Sequence, residues 1–320
     1  MSASGAGRSP VRLLFIGGTG RSGSSLLERI LDQSERLAAF GEIDKLFWSI
    51  ETFDKRQLCG CGEPFATCPF WDRVITASFG SMAEFDPPAL AAERDAVASR
   101  RHLKALFFGL GDADYERRAR TFAAKVQRLY EQLSAACGHR TIVDSSKDPI
   151  WAAFLLKYTD FQINFLHLIR HPGAVAYSWQ RVKQRPEITW ETRMMNIFGA
   201  RDVANRWLKV NLLCCLVRPR AHRSLGLSYE RFARDPRGTL RAIARLVELP
   251  PTGLDAVFND DGSIELTSGH TVMGNPSRMA TSVRVHPDEE WRQQLSAADR
   301  RIVRQQTWPL LPLLSLYAVR

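Results

Sequence analysis

The chain has 320 residues, 45% hydrophobic and 24% charged, the balance of a globular protein able to bury a sizeable core. Its formal net charge of +10 points to anionic ligands. No apolar run approaches the roughly 18–20 residues needed to cross a bilayer, and the basic charge is interspersed arginine rather than one block, which favours small anions over nucleic acid.

The first ten residues, MSASGAGRSP, read as a polar, disordered lead without the apolar core of a signal peptide, so the expected location is the cytoplasm. Residues 12–16 form a buried-type strand, followed by a Gly/Ser loop and a helical pattern over 24–33. Residues 36–40 read as a short strand ending at Gly41-Glu42, and 44–53 as a helix. A cysteine-bearing Gly/Pro turn fills 58–70. Helical patterning dominates 72–136, broken near Asp86-Pro87-Pro88 and Gly109–Asp112. Residues 140–144 predict a strand, then SSKDP and a helix over 150–158. The apolar strand 163–169 closes at Arg170-His171-Pro172 and leads into a helix over 173–183. A helix over 196–216, a strand over 224–229 and a helix over 236–247 follow. Residues 259–288 are irregular, 288–306 are helical, and the apolar C-terminal segment, interrupted by Pro309 and Pro312, reads as a tail covering the core.

Apolar strands alternating with helices predict an α/β fold with a parallel sheet covered on both faces. The expected organisation is one domain over 11–320 with a largely helical insertion near 72–136. In such sheets ligands gather at the C-terminal strand ends. The loops at 17–24, 41–42, 144–149 and 170–172 all follow strands and should share that edge.

The first of these loops carries the strongest local signal. Residues 12–31 read RLLFIGGTGRSGSSLLERIL, a strand, a Gly/Ser loop and a helix start, which is the arrangement of an anion cradle. Gly18 and Gly23 supply the two glycines of a P-loop, but Ser24 stands where that motif has lysine, and the loop's cation is Arg21. The cradle therefore suits a phosphate-like group without the lysine that grips a triphosphate.

The six cysteines include Cys59, Cys61 and Cys68 in a C-x-C-x6-C pattern. A zinc site would want a fourth ligand and usually C-x2-C spacing, and no histidine is near in sequence. The expectation is a compact turn with buried thiols, or else a Cys59–Cys68 or Cys61–Cys68 disulfide, which a reducing cytosol disfavours. His167, inside an apolar strand, reads as a satisfied core residue.

GTGRSGSSLL resembles the 5′-phosphosulfate loop of sulfotransferases that use 3′-phosphoadenosine 5′-phosphosulfate (PAPS). FLHLIRHPGAVAYSWQR resembles their 3′-phosphate segment, SSKDP their lysine-bearing turn, and LSYERFARDP a further family segment; FGEI falls where they carry a catalytic glutamate. The likeness runs from about residue 12 to 250 and is nearest to the bacterial, tyrosylprotein-like branch. It implies a P-loop-like parallel sheet and transfer of a sulfuryl group to a hydroxyl. It also implies Glu42 as general base, Arg21 stabilising charge on the bridging oxygen, and Lys147 as the family's catalytic lysine. Gly20, Arg21, Ser22, Gly23, Ser24 and Ser25 would hold the 5′-phosphate, and Arg170 and Ser178 the 3′-phosphate. Tyr229 would meet the adenine, and Arg278 would cover the donor in place of the R-K-G triplet that this chain lacks. The product would be adenosine 3′,5′-bisphosphate, and no metal is expected because the donor bears no triphosphate. The acceptor's class (small molecule, glycan, lipid or peptide) and a homo-oligomeric state stay open. So do two other readings: a P-loop-type kinase, against which Ser24 argues, and a non-catalytic nucleotide- or nucleic-acid-binding protein.

Overall fold

The computed structural model describes residues 10–48, 53–267, 269–274 and 281–317. Its centre is β1 (Arg12–Gly18), whose residues alternate between two cores. Leu13 and Phe15 face one side and Leu14 and Ile16 the other, and all four are fully buried. A strand apolar on both faces belongs inside a parallel sheet. The other strands are β2 (Leu37–Ala39), β3 (Thr141–Lys147), β4 (Gln162–Ile169) and β5 (Arg223–Ser228). They pair in parallel in the order β2-β3-β1-β4-β5, so the order reverses on either side of β1. Ligands of open α/β sheets sit at that reversal, beyond the C-terminal strand ends.

The chain's helices are α1 (Ser24–Asp32), α2 (Pro69–Phe79), α3 (Pro87–Asp95), α4 (Leu103–Phe108), α5 (Ala113–Ala136), α6 (Pro149–Tyr158) and α7 (Pro172–Gln180). They continue with α8 (Ala200–Val217), α9 (Tyr229–Arg234), α10 (Pro236–Leu246), α11 (Trp291–Gln294), α12 (Ala297–Thr307) and α13 (Leu311–Tyr317). One sheet face packs on the aromatic core of α2, α5 and α6, with Trp71, Phe122, Trp151 and Phe154 fully buried. The other packs on α1 and α10. A third core joins α7, α8 and α12 to Leu310 and Leu314, so the C-terminal segment does cover apolar surface. No helix among the described residues is long and apolar enough to cross a membrane.

Several expectations are corrected. In place of the helix expected over 44–53, the described residues hold a short 3-10 turn, Ile43–Phe47, and residues 49–52 lie outside the described residues. The strand expected to end at 144 runs on to Lys147, because Gly17 pairs with Lys147 across a register shift. Asp144 pairs with Phe15, so β3 carries one extra residue there, a bulge of the kind that re-aims side chains at a sheet's rim. The segment expected to be irregular holds a small antiparallel pair, β6 (Ile264–Glu265) and β7 (Ser282–Val283).

Candidate active site

Gly18, Arg21 and Gly23 all have positive φ (145°, 68° and 92°), and this curls the loop after β1 back onto the start of α1. A Cβ on Gly23 would run into the Tyr229 ring, so glycine is required there for space as well as for conformation. The helix that follows has no side-chain cap, and its first-turn N–H groups have no partner within the helix. Ser22 is buried, and its Oγ has no hydrogen-bond partner among the described residues. An uncapped helix N-terminus beside an orphaned hydroxyl is a place for an anion.

Arg21 is 9% exposed. Its guanidinium lies 4.8 Å from the Trp179 ring centroid and donates to Met195 Sδ at 3.0 Å, while its Nε is buried without a partner among the described residues. Burial lowers its pKa from the ordinary arginine value, and the charge of Glu42 opposes that shift. The cation is thus held by an aromatic face and a thioether, with donor capacity left over.

Glu42 and Lys147 meet at the neighbouring strand ends, with Lys147 Nζ 2.7 Å from Glu42 Oε1. Gly41, at φ 80°, turns the chain after β2, and the Glu42 N–H donates to the Val272 carbonyl at 2.9 Å. Lys147 also has positive φ (67°), and its Nζ donates to the Ser145 carbonyl at 2.8 Å. Lys45 is a second cation at 3.9 Å from Glu42 Oε2. Behind this pair lies Glu28 of α1, fully buried and facing Ser145; burial pushes its pKa up to about 8. Asp144 is pushed up to about 6 by burial, although Tyr130 Oη donates to it at 2.6 Å and Ser146 from both its N–H and its hydroxyl. Asp148 caps α6 and pairs with Arg94 at 2.9 Å, an orienting role.

On the other side of β1, the Arg170 guanidinium forks. Nη1 donates to the Arg21 carbonyl at 2.8 Å and Nη2 to Asp288 at 2.6 Å, while Nε is buried without a partner among the described residues. Arg170 also sits 4.5 Å from the Tyr229 ring centroid. Tyr229 begins α9 rather than closing a strand. Beside it opens a cleft of about 270 Å³, whose lining includes Ser228, Tyr229, Arg234, Asp288, Trp291 and Arg292. Ser178 lies half-buried on α7 next to Trp179, whose ring abuts Gly20. Lys183 just beyond has its pKa lowered by burial and then by Arg21, Arg181 and Arg170, a further cation beside the cradle.

Arg21, Gly20, Ser22, Gly23, Ser24, Ser25, Glu42 and Lys147 thus share one sheet edge, with Arg170 and Tyr229 against the loop. Arg278 lies outside the described residues. Trp179, Met195, Lys183, Asp288 and Glu28 were not legible as site residues. Glu28 alone left a local trace, a carboxylate set between the apolar pairs Leu26-Leu27 and Ile30-Leu31. His167 is fully buried against Asn211 at 2.8 Å, a satisfied core residue, and burial drives its pKa down to about 4. His171 caps α7 and stacks on Trp291. No histidine is near Cys59, Cys61 and Cys68 in sequence, but the fold brings His270 beside them.

A five-stranded parallel sheet with a glycine-rich loop at its order reversal defines an α/β protein of the P-loop-like class. The chain belongs to the sulfotransferase family, whose model matches residues 14–253. The family's activity is sulfuryl transfer, which makes this protein a transferase. Among solved structures, the chain is similar to the sulfotransferase domain from the Synechococcus PCC 7002 olefin synthase, at 19% identity over 96% of both chains and a TM-score of 0.49. It is also similar to the sulfotransferase domain from the curacin biosynthetic pathway, at 16% identity over 94% of this chain and 99% of that one, again with a TM-score of 0.49. Sulfotransferase STF9 from Mycobacterium avium is 14% identical over 78% of this chain and 68% of its own, with a TM-score of 0.42. No curated protein sequence matches significantly. The family assignment stands on the sequence match.

Proposed function

We propose that the protein moves the sulfuryl group of PAPS onto a hydroxyl acceptor, with Glu42 as general base. The observation that carries this reading is Arg21, a buried cation with an unpartnered Nε, set in the loop before an uncapped helix and next to the Glu42–Lys147 pair. A lysine-less cradle fits a monophosphate linked to sulfate better than a triphosphate, and the orphaned Ser22 hydroxyl supplies a further donor. PAPS supplies an activated sulfuryl group with a good leaving phosphate.

Glu42 accepts the acceptor hydroxyl's proton as the new O–S bond forms. Arg21 and Lys147 stabilise charge on the oxygen left behind when the old S–O bond breaks. The loop N–H groups of 20–25 and the hydroxyls of Ser22, Ser24 and Ser25 hold the 5′-phosphate. Arg170 and Ser178 bind the 3′-phosphate, and Tyr229 and the cleft beside it receive the adenine. The chemistry, like phosphoryl transfer, is mainly positioning and electrostatics, and without a triphosphate to neutralise it calls on no metal ion. The reading is tested by transfer of radiolabel from PAPS to a panel of small-molecule, glycan, lipid and peptide hydroxyls. Wild-type enzyme should label at least one class, and Glu42→Gln and Arg21→Ala should label it at least about a hundredfold more slowly. Failure of the protein to bind adenosine 3′,5′-bisphosphate contradicts the reading.

A further inference from the structure

Away from the cradle, the turn after Phe53 brings three sulfurs to one point. Cys59, Cys61 and Cys68 are all free thiols. His270, 202 residues beyond Cys68, places its Nδ1 3.4 Å from Cys68 Sγ and 3.8 Å from Cys59 Sγ. Cys61 and Cys68 Sγ lie 3.7 Å apart, and the ligand atoms of all four residues fall within 4.8 Å of one another.

These separations can be set against a single tetrahedral ion. With Zn–S near 2.3 Å and Zn–N near 2.0 Å, the edges of the tetrahedron are about 3.8 Å between sulfurs and about 3.5 Å between sulfur and nitrogen. The Cys61–Cys68 separation of 3.7 Å matches the first, the two sulfur–nitrogen separations of 3.4 and 3.8 Å bracket the second, and the other edges stay within 4.8 Å. A disulfide needs about 2.0 Å between sulfurs, so this geometry does not depict one.

The surroundings are those of a supported ligand set. The His270 ring stacks on Phe70, with centroids 4.4 Å apart and planes 6° from parallel, and Trp71 Nε1 donates to the His270 carbonyl at 2.9 Å. Cys68 stands at the N-terminus of α2, where the helix dipole favours a thiolate. The one-residue spacing between Cys59 and Cys61 is tighter than the usual two to four, and two glycines accommodate it. Gly60 has no room for a Cβ against Thr271 and Gly269, and Gly62 adopts φ 95°.

We propose that Cys59, Cys61, Cys68 and His270 form a closed, structural zinc site. Four protein ligands leave no open position, so the ion's work is to fasten the 58–68 turn to the 269–272 segment. That segment reaches the candidate active site: Gly60 N–H donates to the Thr271 carbonyl, and the Val272 carbonyl accepts from Glu42 N–H, each at 2.9 Å. The ion thereby braces the strand end that carries Glu42. This inference is independent of the identity of the sulfuryl donor and acceptor.

The test is metal analysis of the full chain purified without chelators. About one zinc per chain is expected. Chelation under reducing conditions should expose three further thiols to a thiol reagent, and added Co2+ should produce the absorption of a tetrahedral cobalt–thiolate site. His270→Cys should keep the metal, while Cys61→Ser and His270→Ala should lose it. Should those variants fail to fold, the wild-type stoichiometry and cobalt spectrum decide alone. A reduced wild-type chain that contains less than a tenth of an equivalent of metal and takes up neither Zn2+ nor Co2+ overturns the proposal. So does stoichiometric iron, or a disulfide among these cysteines as the resting state.

Discussion

Lys147 Nζ lies 2.7 Å from Glu42 Oε1, and both residues owe that meeting to unusual backbone. Glu42 follows a glycine at φ 80°, and Lys147, itself at φ 67°, follows a bulge in β3. A non-glycine residue in the left-handed region is costly and is retained where the surrounding structure fixes it, which is common at functional sites. Exchanging Glu42 for Gln keeps the shape and removes the base. The expected result is a fall in kcat of about 10²–10⁴-fold with binding of adenosine 3′,5′-bisphosphate unchanged. Steady-state kinetics and calorimetry on the same preparation check both halves.

Lys147 also holds its partner and adds charge beside it. Lys147→Met removes a cation proposed to stabilise the leaving oxygen, so kcat should fall by about 10²–10³-fold, with Lys147→Arg restoring part of the loss. Steady-state kinetics of the two variants measure this, and an unchanged kcat in Lys147→Met would contradict the role.

Arg170 is engaged by Asp288 on the edge that a 3′-phosphate would take. Arg170→Lys loses the two-pronged geometry and should weaken adenosine 3′,5′-bisphosphate binding by about tenfold or more, with adenosine 5′-monophosphate little affected. Asp288→Asn removes a competing carboxylate and should tighten the bisphosphate severalfold, most visibly at low salt. Titration calorimetry of the two nucleotides against each variant separates these outcomes.

Glu28 makes stability depend on pH. Its folded pKa, about 8, stands above the ordinary value of 4.5, so the folded state holds a proton that the unfolded chain releases between those values. The stabilisation is complete below pH 4.5 and is lost as pH rises toward 8 and beyond. Glu28→Gln, neutral at every pH, should flatten the fall in melting temperature across that window and melt several degrees higher at alkaline pH. Thermal scans from pH 5 to 9 compare the two proteins.

Much of this site was legible in sequence because its parts are local. A strand, Gly18, Arg21, Gly23 and a serine-started helix declare a cradle within a dozen residues. Glu42 and Lys147 were visible as residues following strands, though the bulge that lengthens β3 was not, since register depends on a partner strand over a hundred residues away. Tyr229 looked like the end of a strand because an apolar run precedes it, but Ser228 caps a helix there. Asp288 meets Arg170 across 118 residues, and His270 meets the cysteines across more than 200. No periodicity carries such information, so nothing in the cysteine turn itself pointed to a histidine more than 200 residues on.

The central claim is that the loop around Arg21 holds a PAPS-type donor rather than a triphosphate. The most direct measurement is the melting temperature of the full chain with adenosine 3′,5′-bisphosphate, adenosine 5′-monophosphate or magnesium ATP, since a ligand that binds only the folded state raises it with concentration. The account predicts a saturable rise of several degrees with the bisphosphate, a smaller one with the monophosphate, and loss of the bisphosphate effect in Arg21→Ala. No shift with the bisphosphate, or a larger one with magnesium ATP, would contradict it.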